Sequence, residues 1–110
     1  MNPIKSIPAA MAHHLPAGSV IVDVRNHPEL VECRLTAPFI HVPLDQVSRD
    51  VLQTDHGVAL NTPLYMLCRA GVRARTAAMQ LAMDGFTDLT VIEGGIIACV
   101  DSDHQTVSGE

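Results

Sequence analysis

The chain has 110 residues, a formal net charge of −5, 47% hydrophobic and 3% aromatic residues, and three cysteines. That length suits one compact domain with one core and excludes a two-domain enzyme. The hydrophobic fraction excludes wholesale disorder, and the acidic balance argues against a general nucleic-acid binder, which needs a basic footprint. With no Trp, one Tyr and two Phe, the core must be aliphatic. Arg69, Arg73 and Arg75 form a local knot of positive charge, which suggests a site for a small anion. Cys33, Cys68 and Cys99 cannot all pair within one chain, and their spacing matches neither zinc sites nor CxxC redox pairs. No signal peptide and no window of apolar residues long enough for a span are read, so a reducing, cytoplasmic setting without a membrane span is expected.

In chain order, Ser6 reads as the cap of a helix that tolerates Pro8 in its first turn and runs to about His14. A turn at Pro16-Ala17-Gly18 leads into Ser19 to Val24, a short β-branched run of the kind buried on both faces of a sheet. Asn26 followed by Glu29 reads as a capping box opening a short helix. Phe39 to Val42 is a second strand, ended by Pro43. Leu44, Val47 and Val51 fall at helical spacing, and residues 55–62 read as a loop. Pro63 to Cys68 is the next buried strand. After a Gly-bearing turn, Arg73 to Asp84 is a helix with Ala74, Ala77, Ala78 and Leu81 on its inner face. Gly85 and Phe86 fit a Schellman stop, with Phe86 against Leu81. Leu89 to Ile92 is a last strand, closed by Glu93-Gly94-Gly95. The apolar pattern stops at Asp101. Residues 1–100 therefore read as one domain and 101–110 as a polar, partly disordered tail. Alternating strands and helices imply a mostly parallel sheet of four to five strands with helices on both faces. Ligands bind at the carboxyl ends of such strands, here marked by Asp23-Val24-Arg25 and by Cys68.

Cys68 ends a buried strand, precedes a Gly-bearing loop and lies just before a helix start. Loop N–H groups can converge there into an anion cradle, the helix dipole adds partial positive charge, and Arg69 and Arg73 add full charges. All of these favour thiolate over thiol, and the thiolate is the nucleophile. Attack on a sulfur atom needs no separate acid–base partner.

The stretch Cys68-Arg69-Ala70-Gly71-Val72-Arg73 resembles the C-x-x-G-x-R loop of single-domain rhodaneses, the thiosulfate or persulfide sulfurtransferases. Ile21-Val22-Asp23-Val24-Arg25 resembles that family's first strand with its D-V-R ending. Pro28-Glu29-Leu30, Val42-Pro43-Leu44 and Val91-Ile92-Glu93-Gly94-Gly95-Ile96 resemble its P-x-E-[FY], I-P-L and L-x-G-G-[IL] segments, in the same order and over roughly residues 4 to 100. The resemblance implies a rhodanese-like three-layer fold and a catalytic Cys68 that takes sulfane sulfur as a persulfide. Its donor would be thiosulfate or glutathione persulfide, and its acceptor cyanide or a thiol such as thioredoxin or glutathione. Arg69, Ala70, Gly71, Val72 and Arg73 would cradle the outer sulfur, with Arg73 orienting the donor or bracing the loop. Asp23 and Arg25 would support the site. Related phosphatases of this fold use C-x5-R; here Ala74 stands at that spacing, which favours sulfur over phosphate. No cofactor and no metal are implied.

The chain departs from the pattern in three places. Cys33 to Pro38 stands where many relatives have G-H-I-P-G-A. Cys99 stands where a Trp is usual, and the final helix reads as missing or truncated. A sulfur carrier or interaction domain of a larger protein is therefore the competing expectation, with phosphatase or arsenate chemistry third. Cys33 reads as a resolving thiol or, in the favoured reading, a small apolar filler. His13-His14 and the Asp101, Asp103 and His104 group read as solvated rather than metal-binding.

Overall fold

The computed structural model describes residues 3–110; the first two residues of the expected domain lie outside it. Its main sheet has five strands: β1 (Lys5–Pro8), β2 (Val20–Asp23), β4 (Ile40–His41), β5 (Leu64–Leu67) and β6 (Leu89–Glu93). They lie in the order β1-β6-β5-β2-β4, and every pair is parallel. The helices are α1 (His27–Glu32), α2 (Val72–Met83) and α3 (Gly95–Asp101). A second, two-stranded sheet pairs β3 (Arg34–Leu35) with β7 (Thr106–Val107) antiparallel.

Strand alternation divides the core into two layers. Val22, Leu64, Met66, Cys68 and Val91 pack with the inner face of α2 and with Phe86. Ile21, Leu67, Ile92, Ile96 and Cys99 pack on the other face. The alanines of α2 let its backbone lie close to the sheet. The helix stops as its sequence implies: Phe86 N–H donates to the Leu81 carbonyl at 3.0 Å and Gly85 N–H to that of Ala82 at 3.2 Å. These are the two bonds of a Schellman motif, with Gly85 at φ +102°.

Three expectations need correction, and the final helix follows the truncated alternative. Lys5–Pro8 is an edge strand against β6, not the start of a helix. Pro8 tolerates that place because it is the strand's last residue on a sheet edge. Only Ala9–His13 then winds, as a 3-10 turn. The segment after Pro43 is not one helix: a 3-10 turn at Leu44–Gln46 is followed by a wide π-type turn at Val51–Asp55. The residues after Asp101 do not trail away. Besides the β3–β7 pairing, Gly109 N–H donates to the Val31 carbonyl at 2.7 Å, and Arg34 donates to the Gly109 carbonyl at 2.6 Å. The final helix is present but short, at seven residues.

From β2 the chain crosses to β4 on one side, and from β5 it crosses to β6 on the other. The carboxyl ends of β2 and β5 therefore flank the switch point of the sheet, where open α/β folds bind ligands.

Candidate active site

Cys68 follows β5 directly and faces the α2 side of the sheet. The residue is 1% exposed. Gly71 turns the loop with φ +115°, a conformation that strains any residue with a Cβ. The turn aims the Gly71 N–H at Cys68 Sγ, 3.0 Å away. α2 begins at the next residue, and a helix leaves its first N–H groups without intrahelical partners. The first α2 donor with a backbone acceptor outside that group is Arg75, whose N–H reaches the Gly71 carbonyl at 3.1 Å. The sulfur thus sits at the base of the loop with the Gly71 N–H directed at it.

α3 shapes the same loop from behind. Ile96 N–H donates to the Cys68 carbonyl at 2.8 Å and Ile97 N–H to the Arg69 carbonyl at 3.3 Å. These bonds draw two loop carbonyls away from the sulfur. Gly95 makes the approach possible: a Cβ there would stand 2.3 Å from the Cys68 oxygen and 2.4 Å from the Arg69 oxygen. Gly95 also holds φ +58°. The Gly94-Gly95 pair, read from sequence as a strand closure, is a contact surface for the loop.

Arg73 braces the loop. Its two terminal nitrogens each lie 2.7 Å from one oxygen of Glu29. The capping box on α1 holds that carboxylate: Glu29 N–H donates to Asn26 Oδ1, and Asn26 N–H donates to Glu29 Oε1, both at 3.2 Å. The Arg73 guanidinium holds the Glu29 carboxyl down at about 2, against the opposing pull of burial. In return, Glu29 raises the pKa of Arg73. The sequence shows Glu29 as a capping residue; its second role is visible only in three dimensions.

Asp23 and Arg25 pair with each other beside the loop, at 0% and 2% exposure. Arg25 Nη2 lies 2.8 Å from Asp23 Oδ2, and Arg25 Nε lies 3.0 and 3.2 Å from the two carboxylate oxygens. The Arg25 N–H also donates to Asp23 Oδ1 at 3.0 Å. His41 donates from Nε2 to the Arg25 carbonyl at 2.6 Å. Glu93, the other partner considered for Arg25, instead accepts the Ser6 hydroxyl at 2.7 Å. Asp23 therefore orders Arg25 and the start of α1, not the Cys68 loop.

The other charged loop residues are freer. Among the described residues, Arg69 and Arg75 form no ion pair. Arg69 borders a cavity of about 220 Å³ together with Arg25, Glu29, Cys33, Ile97 and Val100. Cys33 packs with the core on the α3 side, away from the layer that holds Cys68. Cys99 is fully buried there, and burial pushes its thiol up to about 11, so it is an inert filler at neutral pH. His13 and His104 stack with ring centroids 3.7 Å apart, each reaching a backbone carbonyl through Nε2. Among the described residues, no group of three metal-ligating side chains converges. No helix among them is long and apolar enough to cross a membrane.

A sequence model described as a rhodanese-like domain matches residues 8–101. The chain belongs to the rhodanese-like domain family. Thiosulfate sulfurtransferase GlpE of Pseudomonas syringae is 30% identical over 96 residues, covering 86% of each chain. The protein of the same name from Pseudomonas fluorescens strain SBW25 is 29% identical over 96 residues, covering 86% of this chain and 84% of its own. Among solved structures, a rhodanese-related protein of Thermoplasma volcanium superposes with a TM-score of 0.74 at 23% identity, covering 94% of this chain and 97% of its own. A rhodanese with anions from E. coli gives 0.65 at 23% identity, covering 83% and 99%. At family level the chain is a sulfurtransferase-type rhodanese domain with the expected five-stranded α/β architecture.

Proposed function

We propose that this protein is a sulfurtransferase that moves sulfane sulfur from thiosulfate or a persulfide such as glutathione persulfide to a thiol or cyanide, through a persulfide on Cys68. The observation that carries this reading is the Gly71 N–H held 3.0 Å from Sγ within a C-x4-R loop. That donor stabilises an anion on sulfur, first the thiolate and then the bound persulfide.

In the first step the Cys68 thiolate attacks the outer sulfur of thiosulfate. A Cys68–S bond forms, the S–S bond of thiosulfate breaks, and sulfite leaves with the electron pair. In the second step an acceptor thiolate attacks the outer sulfur of the persulfide. Cys68 leaves as thiolate, and the sulfur and its proton pass to the acceptor. Glutathione and thioredoxin-like protein thiols fit the acceptor role. The amides of Ala70, Gly71 and Val72 cradle the outer sulfur. Arg69 attracts the anionic donor. Arg73 keeps the loop in shape through Glu29 rather than touching the donor, and Asp23 and Arg25 support the loop's surroundings. A reducing, cytoplasmic setting suits three free thiols.

The near-complete burial of Cys68 favours one second reading, a sulfur carrier that is loaded and unloaded only within a complex. Intact mass after incubation with thiosulfate separates the two. A gain of about 32 Da that is absent from Cys68→Ser and discharges to cyanide or a small thiol is the expected result. Loading without discharge supports the carrier. No loading, or phosphatase turnover without a persulfide, overturns both. Cyanolysis distinguishes one added sulfur from two added oxygens.

A further inference from the structure

The residues after α3 form a strap. Asp103 turns the chain with φ +65°, a left-handed conformation that aspartate adopts more readily than most residues. Beyond it, His104 N–H donates to the Cys99 carbonyl at 3.0 Å. Thr36 N–H donates to the Gln105 carbonyl at 3.0 Å, and Gly109 N–H to the Val31 carbonyl at 2.7 Å. Arg34 Nη1 donates to the Gly109 carbonyl at 2.6 Å and to the Leu30 carbonyl at 3.1 Å. Residues 102–109 thereby join α3 to β3 and to the last turn of α1. α1 carries Glu29, the partner of Arg73 in the Cys68 loop.

Two histidines close the strap. His13 Nε2 lies 2.7 Å from the Ser102 carbonyl oxygen, and His104 Nε2 lies 2.7 Å from that of Ala9. The bonds cross: each ring reaches the backbone of the segment that carries the other. A carbonyl oxygen only accepts, so both Nε2 atoms carry a proton and each neutral ring has a bare Nδ1. The rings are stacked, with centroids 3.7 Å apart and an interplanar angle of 13°. Imidazole is the side chain that ordinarily changes charge between pH 8 and 5. The added proton goes to Nδ1 and leaves the Nε2 bond intact, so the clasp tolerates one charge. A second charge sets two cations face to face at the partly covered site, where water screens their repulsion incompletely.

The charged neighbours do not offset two cations. His14, with its ring 6.5 Å from that of His13, adds charge of the same sign when protonated. On β1, Lys5 is paired with Asp88; on β6, Glu93 accepts the Ser6 hydroxyl; on β3, Arg34 is bound to its two carbonyls. Asp101 and Asp103 precede His104, and Asp103 lines the same hollow as both rings. Among the described residues, neither aspartate forms an ion pair with a histidine. Their field favours one imidazolium over none, not a stacked pair.

We propose that residues 102–109 are an acid-released strap. Closed by the His13–His104 clasp near neutral pH, it braces α1 and with it the Glu29–Arg73 pair; with both rings protonated it opens. The inference does not depend on the persulfide reading of Cys68.

The test is amide hydrogen exchange followed by NMR at pH 7.5, 6.5 and 5.5, expressed as protection relative to an unstructured chain at the same pH. The reporters are Thr36 and Gly109 for the strap and Cys33, whose N–H donates to the Glu29 carbonyl at 3.0 Å, for α1. Val24, whose N–H donates to the Leu67 carbonyl at 2.9 Å, reports the main sheet. Protection at the first three is expected to fall at least tenfold from pH 7.5 to 5.5 while Val24 holds. His104→Gln keeps a donor for the Ala9 carbonyl but takes no charge, so its protection is expected to stay level. His13→Gln makes the same test from the other ring should the first variant not fold. Level protection in the wild type, an equal loss in the folded variant, or a parallel loss at Val24 overturns the proposal. Loss at Thr36 and Gly109 without loss at Cys33 overturns the bracing of α1.

Discussion

The Glu29 carboxylate accepts two charge-assisted bonds from Arg73 and one from the Asn26 amide, so one side chain ties α1 to the Cys68 loop. Glu29→Gln keeps a residue that can complete the capping box but loses the ion pair. We expect it to lower stability at pH 7 by about 1.5–3 kcal/mol, the range for hydrogen bonds to charged groups. Loading of Cys68 is expected to slow about tenfold, equivalent to about 1.4 kcal/mol in the barrier. The pH dependence follows from the direction of the shift. A carboxyl held at about 2 in the fold against an ordinary 4.5 contributes stability that is complete above about pH 4.5 and fades as pH falls toward 2. Denaturant titrations across that window are expected to show a shallower acid loss in Glu29→Gln than in the wild type. An identical slope would show that the pair contributes nothing to acid stability.

α3 acts on the loop from a different element and a distant part of the sequence. Its first amides hold the carbonyls of Cys68 and Arg69, and Gly95 lets it come close. A methyl group at Gly95 meets backbone, not a flexible side-chain end, so Gly95→Ala must shift the loop or α3. We expect its sulfur loading to fall by at least a hundredfold, or about 2.7 kcal/mol. The Gly71 amide nitrogen–proton resonance, which should move on alkylation of Cys68 in the wild type, is expected to move little in the variant. A normal response of that resonance with normal loading would mean the contact does not position the sulfur. The elements differ in how clearly their sequences announce them. Asn26 with Glu29, the alanines of α2, and Gly85 with Phe86 carry their structure in local chemistry, and each forms as its residues imply. Cys68 and Gly71 were equally legible because the loop's shape depends on that glycine. Lys5–Pro8 was not: four residues with no clear alternation become a strand only because β6 offers an open edge. β7 and the Glu29–Arg73 pair are hidden for the same reason, since the β3–β7 partners lie 73 and 71 residues apart and Glu29 and Arg73 lie 44 apart.

At the scale of the whole molecule, the sheet sorts the three thiols. Cys68 belongs to the layer under α2, whereas Cys33 and Cys99 pack in the layer under α3. A disulfide needs Cα atoms within about 7 Å and converging side chains, and these thiols pack into different core layers. Protein exposed to mild peroxide and digested without reductant is therefore expected to yield no peptide pair joining Cys68 to Cys33 or Cys99. Such a pair in good yield would require the loop to leave its place. The two-layered core thus has a cost under oxidative stress. If Cys68 is oxidised to a sulfenic acid, the packing of Cys33 and Cys99 in the other layer predicts that neither condenses with it before the acid advances to an irreversible state. Recovery would then come from a thiol outside the chain, along the same approach that the proposed sulfur acceptor would use.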